Sequence, residues 1–312
     1  MTTIVNQFHG DRFVAYHGDC VEIVSALPTA SVDYSIYSPP FASLYTYSAS
    51  DRDMGNSRSG DEFAEHYRYL VAELLRVTKP GRLVSVHCMQ LPASKQHDGF
   101  IGLKDFRGEL IRMHQEAGFI YHSEVVIWKD PVVAMQRTKA LGLLYKQIRK
   151  DSAMCRQGIP DYLVTFRAPG VNPDPVIKTS DTYGVDLWQQ DASPVWNPED
   201  MPVSDRYADP VWMDINPSDT LQKGSAREHP DEKHICPLQL PVIRRAVRLW
   251  TNPGDVVLTP FGGIGSEGYE SVRMGRRAVL AELKTSYYGQ LVGNMQRAEI
   301  EYATPKLFDV DL

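Results

Sequence analysis

The chain has 312 residues, 43% of them hydrophobic, enough for one large or two modest packed domains. No apolar run reaches the ~20 residues of a membrane span, and residues 1–10 lack a charged-then-apolar leader, so a cytoplasmic protein with no membrane partner is expected. Four scattered cysteines (Cys20, Cys88, Cys155, Cys236) with no C-x-x-C pair argue against structural zinc and for a reducing compartment, and no metal is expected.

Arg12–Tyr16 reads as a strand that meets Gly18-Asp19-Cys20. An amphipathic turn follows with Val21, Ile23, Val24 and Leu27, then Pro28 and an apolar β-prone run from Val32. That run stops at Ser38-Pro39-Pro40-Phe41. Residues 42–60, rich in Ser, Tyr, Asp and Gly, are long for a connection, and loops of that size are usually lids or binding loops. Phe63, Tyr67, Leu70, Val71, Leu74 and Leu75 predict a helix over 61–77, stopped by Lys79-Pro80-Gly81. Strands are predicted at 82–87, 124–129 and 161–167, and a helix over 105–117 ended by Gly118. Trp128 reads as a core residue.

Charge is unevenly spread along the chain. The net charge is −6, yet Arg137, Lys139, Lys146, Arg149, Lys150 and Arg156 are interrupted only by Asp151. A local basic stripe is what phosphate contact requires, with a solvated helix face as the alternative. Residues 170–232 carry 13 acidic and 4 basic side chains, with eight prolines and Trp188, Trp196 and Trp212. They read as irregular structure pinned by aromatic anchors. From Pro237 the pattern recovers as a helix to Trp250, a turn at 252–255, a strand at 256–259 and a glycine-rich turn. A helix, the strand 277–282 and a last helix over 286–302 follow. Strands alternating with helices predict an α/β fold with a mainly parallel sheet.

Two stretches carry chemistry. In Ser38-Pro39-Pro40-Phe41 the prolines fix φ at successive positions, so the Ser38 oxygens and the Phe41 ring leave a strand end in fixed relation. A flat substrate could stack on the ring while its exocyclic amine donates to the oxygens. In Thr259-Pro260-Phe261-Gly262-Gly263-Ile264-Gly265-Ser266 the glycines admit a ligand to the backbone, and the helix beyond presents free N–H groups. Glu282, at the end of the next strand, is placed to accept ribose hydroxyls. By itself this second pattern fits NAD, FAD or S-adenosylmethionine. His87 and Cys88 at a strand end suggest a nucleophilic pair, but nothing else in the sequence supports covalent chemistry there.

Together, Ser38-Pro39-Pro40-Phe41 and Phe261-Gly262-Gly263-Ile264-Gly265 resemble the hallmarks of the DNA amino-methyltransferases, which methylate adenine N6 or cytosine N4. The catalytic motif comes first, as in the family's permuted β group. Gly18-Asp19, residues 79–84, Ile127-Trp128-Lys129 and Lys233-His234-Ile235-Cys236-Pro237 extend the resemblance over nearly the whole chain outside 170–230. Many members carry Asp-Pro-Phe where this chain has Thr259-Pro260-Phe261, so the contact of that aspartate is not carried over.

The resemblance implies a Rossmann-like fold, a mostly parallel sheet with helices on both faces. Residues 1–168 and 233–312 form its catalytic domain, and 169–232 an irregular target-recognition insert adjoined by the basic stripe at 137–156. It implies S-adenosylmethionine as cofactor, leaving as S-adenosylhomocysteine, with no metal. The methionine end lies near Phe261, Gly263, Gly265, Ser266 and Cys236, the ribose at Glu282 and the adenine amine at Asp19. Ser38, Pro39, Pro40 and Phe41 receive a base flipped out of double-stranded DNA. Arg137, Lys139, Lys146, Arg149 and Lys150 are the candidate DNA contacts, and a second copy of the chain is a candidate partner for the acidic segment. Serine at the first motif position points to cytosine N4, with adenine N6 the alternative. Such modules transfer readily, so a restriction-modification, phage or mobile-element setting is expected, with the protein in the cytoplasm, at the nucleoid or in a phage host. RNA or protein-glutamine methylation, or a catalytically silent DNA-binding regulator, are the competing readings.

Overall fold

The computed structural model describes residues 4–40, 54, 60–93, 95–129, 149–154, 158–180, 184, 211–213, 215–221 and 237–304. In chain order these give β1 (Asn6–His9), β2 (Phe13–His17), α1 (Cys20–Ala26), β3 (Val32–Tyr37), α2 (Gly60–Val77) and β4 (Thr78–Met89). Next come β5 (Leu91–Ala93), α3 (Lys95–Asp98), β6 (Gly102–Lys104), α4 (Phe106–Ala117), β7 (Ile120–Ile127), β8 (Asp161–Arg167) and β9 (Val211–Trp212). The chain closes with α5 (Leu240–Trp250), β10 (Val256–Thr259), α6 (Ser266–Arg273), β11 (Arg277–Glu282) and α7 (Thr285–Ala303).

Among the described residues the main sheet runs β1-β2-β11-β10-β3-β4-β8-β7-β9, and β5 and β6 form a separate hairpin. Strands β2, β11, β10, β3 and β4 are mutually parallel. β8 is antiparallel to β4 and β7, and β1 to β2. This is the expected α/β architecture, with helices on both faces. Helices α5, α6 and α7 cover one face through Ile243, Val247, Val272, Leu291 and Met295. Helices α1, α2 and α4 cover the other through Ile23, Val24, Leu70, Leu74 and Leu110. A strand covered twice has no solvent side, and all six residues of β3 are buried.

Local chemistry explains the element ends. The buried residues of α2 recur at helical spacing, and the helix gives way at Val77 directly to β4, whose first residues include Lys79-Pro80-Gly81. Helix α4 starts at Asp105, whose carboxylate accepts the Gly108 N–H at 3.0 Å, and stops at Gly118 with φ +110°. At the starting edge of the sheet the buried Asp33 accepts from Lys79 Nζ at 2.7 Å and the Val256 N–H at 2.9 Å. It also pairs with the buried Arg82 guanidinium at 3.1 Å. Arg82 pairs in turn with Asp255, so β3, β4 and β10 are tied at one end.

Several elements lacked a sequence signal. β1 is largely exposed, β5 contains a proline, and β9 is two residues long inside a proline-rich segment. β7 begins at Ile120 rather than 124, because its first three positions are exposed and show no alternation. Trp128, expected in the core, is 45% exposed just beyond β7. Described parts of 169–232 pack on the sheet domain. Trp212 is fully buried in β9, the Asp174 carbonyl accepts from Arg82 at 3.2 Å, and Lys178 reaches the Arg248 carbonyl at 2.5 Å. Trp188 and Trp196 lie outside the described residues. Among the described residues no helix is long and apolar enough to cross a membrane.

Candidate active site

β3 and β10 are neighbours, with Tyr34 opposite Val257 and Ser35 opposite Leu258. From β3 the chain crosses through α2 to β4, whereas from β10 it crosses through α6 to β11 on the other side. The boundary between these two strands is therefore a topological switch point, where the connections diverge and leave a crevice beyond the carboxyl ends. Ser38-Pro39-Pro40 leaves β3 there, and the glycine turn leaves β10 beside it. Two motifs about 220 residues apart in sequence share one edge. The rings of Tyr37 and Phe261 join them, with centroids 5.7 Å apart.

The glycine turn is held from several sides. The Gly262 N–H donates to the Ala281 carbonyl at 2.7 Å, and a Cβ at Gly262 would come within 2.7 Å of Leu291. Asn294 Nδ2 donates to the Ile264 carbonyl at 2.7 Å. Gly263 and Gly265 have φ of +53° and +91°, which favours glycine at both positions. Among the described residues nothing lies within 4 Å of where a Gly263 Cβ would stand, so the turn's backbone faces open space there. Ser266 begins α6, and its buried hydroxyl has no hydrogen-bond partner among the described residues. The Thr259 hydroxyl, at the position where many members of the resembled family carry aspartate, is likewise buried and without a partner among the described residues.

Glu282 ends β11 facing this turn. Its Oε2 accepts the Gly263 N–H at 2.7 Å and its Oε1 the Lys284 N–H at 2.7 Å, so it orders the turn as well as edging the crevice. Asp19 follows β2, the adjoining strand. Its Oδ1 accepts the Val21 and Glu22 N–H groups at 2.9 and 3.1 Å, which makes it the N-cap of α1. Asp19 and Glu282 thus stand at the ends of two adjacent strands, linked where the Gly18 N–H donates to the Glu282 carbonyl at 3.0 Å.

Ser38 has partners that sequence reasoning missed. Its Oγ lies 3.0 Å from His87 Nδ1, and His87 Nε2 lies 3.1 Å from Asp161 Oδ2. Lys129 Nζ pairs with the same Asp161 oxygen. Burial pushes the Asp161 carboxyl up, but the adjoining His87 and Lys129 outweigh it and hold the group below the usual carboxylate range. His87 stood out in the sequence only beside Cys88. That thiol is fully buried, its ionisation is strongly suppressed by burial, and it is no nucleophile. The available signal was strand arithmetic, since His87 lies near the carboxyl end of β4, the strand beside β3.

Ser38, Pro39 and Pro40 therefore meet Gly263, Gly265, Ser266, Phe261 and Glu282 at one edge, with Asp19 two strands away from the glycine turn. Phe41, Cys236, Arg137, Lys139 and Lys146 lie outside the described residues. Arg149 and Lys150 sit exposed in a turn. Among the described residues no three or more His, Cys, Asp or Glu side chains are grouped to hold a metal ion.

A glycine turn, a helix start and a strand-end acid at a switch point define a doubly wound, nucleotide-cofactor class of protein, here with a polar proline-stiffened turn next to the cofactor crevice. Comparison gives the family. A family model described as DNA methylase, of the N6/N4 type, matches residues 32–292, and the chain belongs to that family. It is 25% identical over 279 residues to the type II methyltransferase M.BamHI of Bacillus amyloliquefaciens. That match covers 88% of this chain and 56% of the relative, so the chain spans just over half the length of that curated protein. Among solved structures, TTHA0409 of Thermus thermophilus, a candidate DNA modification methylase, was determined in complex with S-adenosyl-L-methionine. It is similar with TM-score 0.60 and 20% identity, over 92% of this chain and 95% of that one. The cytosine-N4-specific PvuII DNA methyltransferase is similar with TM-score 0.60 and 15% identity, over 94% and 92%. Both share the fold of this chain.

Proposed function

We propose that this protein transfers a methyl group from S-adenosylmethionine to the exocyclic amino nitrogen of a base flipped out of double-stranded DNA, with cytosine N4 as the target. The observation that carries the reading is the adjacency of the Ser38 turn and the glycine turn at neighbouring strand ends. S-adenosylmethionine supplies a methyl group already activated by its sulfonium, so the protein's task is positioning and electrostatics.

The residues present suit that cofactor. The Ser266 hydroxyl, without a hydrogen-bond partner among the described residues, and the first N–H groups of α6 suit a carboxylate, the open backbone at Gly263 admits a close ligand, and Glu282 at the edge of the crevice is an acceptor suited to ribose hydroxyls. Ser38 Oγ and the Pro39 carbonyl accept the hydrogens of the target amine, drawing its lone pair out of conjugation with the ring. Pro39 and Pro40 hold those acceptors rigid, and Phe41 stacks on the base. The serine supports cytosine N4, since it stands where adenine-N6 members of the resembled group usually carry aspartate. The name of the PvuII enzyme agrees with that choice. Residues 169–232 and the stripe at 137–156, with Arg149 and Lys150 exposed, are the proposed DNA-reading part, and a second copy of the chain is a candidate partner there.

The test is nucleoside mass spectrometry of unmethylated DNA incubated with the protein and S-adenosylmethionine. N4-methylcytosine is expected, and Ser38→Ala should lower the rate by about 10²–10³-fold, as loss of a preorganised polar contact does. N6-methyladenine would overturn the choice of base and leave the chemistry standing. No methylated nucleoside from DNA of varied sequence would overturn the reading.

A further inference from the structure

Ser38 is the nearest group in a chain of polar contacts that runs inward from the crevice through His87 and Asp161 to Lys129. Asp161 is 1% exposed and His87 7%, so the chain is closed off from solvent except at Ser38 and Lys129. Four strands of the sheet position it. Ser38 follows β3, His87 is near the end of β4, and Asp161 opens the antiparallel β8, with Lys129 just beyond β7.

With a neutral His87 ring, the contacts set the direction of each hydrogen in the chain. The Asp161 carboxylate, paired with Lys129, can only accept, so His87 Nε2 carries a hydrogen and donates to it. In the neutral ring Nδ1 is then bare and accepts from the Ser38 hydroxyl. Ser38, having turned its own hydrogen inward, presents only lone pairs to the crevice. The opposite ring tautomer would put an N–H against Ser38 Oγ and turn the serine hydrogen outward, where it would compete for the amine lone pair that must attack.

We infer that His87, locked in one tautomer by Asp161, is the positioning residue that makes Ser38 an acceptor and takes up, through Ser38, the proton released by the target amine. This rests on the methyl-transfer reading above. As the amine nitrogen bonds to the methyl carbon, the carbon–sulfur bond breaks and its electron pair stays on sulfur. The nitrogen then has one proton in excess. That proton passes to Ser38 Oγ while the serine proton passes to His87 Nδ1, leaving a neutral methylated amine, a serine hydroxyl and an imidazolium beside Asp161. The imidazolium returns its proton to water once the product has left.

The test uses the full chain with Asp161→Asn and His87→Asn variants. Nitrogen-15 NMR, with the His87 signals assigned by their loss in His87→Asn, reads the tautomer without any turnover. Hydrogen on Nε2 is expected in the unaltered protein. Hydrogen on Nδ1 is expected in Asp161→Asn, whose amide can donate to Nε2. In the unaltered protein, hydrogen on Nδ1 would overturn the inference. In His87→Asn the amide oxygen can take the place of Nδ1 and accept from Ser38, but it cannot take a proton. Single-turnover methylation by both variants should fall about 10²–10⁴-fold, the range for lost general acid–base assistance. Calorimetric cofactor affinity and the KM for DNA should be unchanged. A His87→Asn protein that binds cofactor and methylates at the unaltered rate would overturn the proton-transfer role. An unaltered protein that methylates no DNA would overturn the methyl-transfer reading and this inference's proton step with it, while the NMR result would still decide the tautomer lock.

Discussion

Glu267 shows how the cofactor edge constrains a single side chain. It is the second residue of α6, only 5% exposed behind Ser266, and burial pushes its carboxyl up to about 8. A carboxyl raised on folding contributes stability that is complete below its unfolded pKa of about 4.3 and is lost as pH rises through about 8. Glu267→Gln cannot titrate. Its urea midpoint relative to the unaltered protein should therefore climb between pH 5 and pH 9, and a constant difference would contradict a neutral buried carboxyl. Legibility at this scale was uneven. The turn and strand-end positions of Ser38, Gly263, Gly265 and Glu282 were readable because their backbone preferences are local. Asp19 was readable only in part, since its capping of α1 accompanies the cofactor role expected of it. His87, Asp161 and Lys129 were not readable as a group, because they lie on or just beyond separate strands and meet only in the folded sheet.

The elements owe their positions to pairings that local periodicity cannot encode. Asp33 interrupts an apolar strand, yet it accepts from Lys79, Arg82 and the Val256 N–H, and thereby registers β3 against both neighbours at the edge opposite the site. Asp33→Ala leaves the buried Arg82 with half of its carboxylate partners. It should destabilise the protein by about 3–5 kcal/mol in urea unfolding, the usual result of breaking one side of a buried charge network. A loss below about 1 kcal/mol would mean that Asp255 alone suffices. The long amphipathic α2 and the strands β8, β10 and β11 were predicted nearly to the residue, because burial on one helix face or both sheet faces writes itself into the sequence. β1, the β5–β6 hairpin and β9 are short and lie at the margin of the sheet or apart from it, where little apolar surface is buried to leave a pattern.

At the scale of the whole molecule, the core beneath α4 sets the response to acid. His114 is fully buried with its ring stacked on Phe166 at 4.0 Å, and Nδ1 donates to the Leu110 carbonyl at 2.8 Å. Burial pushes its pKa down to about 4. A histidine lowered on folding contributes stability present above its unfolded pKa of about 6.5 and lost as pH falls through about 4. The urea midpoint should drop over that interval, and His114→Phe should show a shallower decline even if it is less stable at pH 7. The proposed DNA contacts are tested on the same scale. Replacing Arg149 and Lys150 by alanine should reduce the slope of log affinity against log salt by up to about 2, with no change in which base is methylated. An unchanged slope would remove both from the phosphate contacts.

The sequence by itself determined the alternation of strands and helices, the two stiff or glycine-rich turns and the acid that answers the second of them. These depend on periodic burial and on φ preferences, which act over a few residues. Only the tertiary structure decided that the two turns leave adjoining strands, that Glu282 closes the glycine turn, and that Ser38 backs onto His87 and Asp161. Strand order selects those partners. It follows from burying both faces of one sheet with the whole chain, a constraint that no local stretch of residues carries.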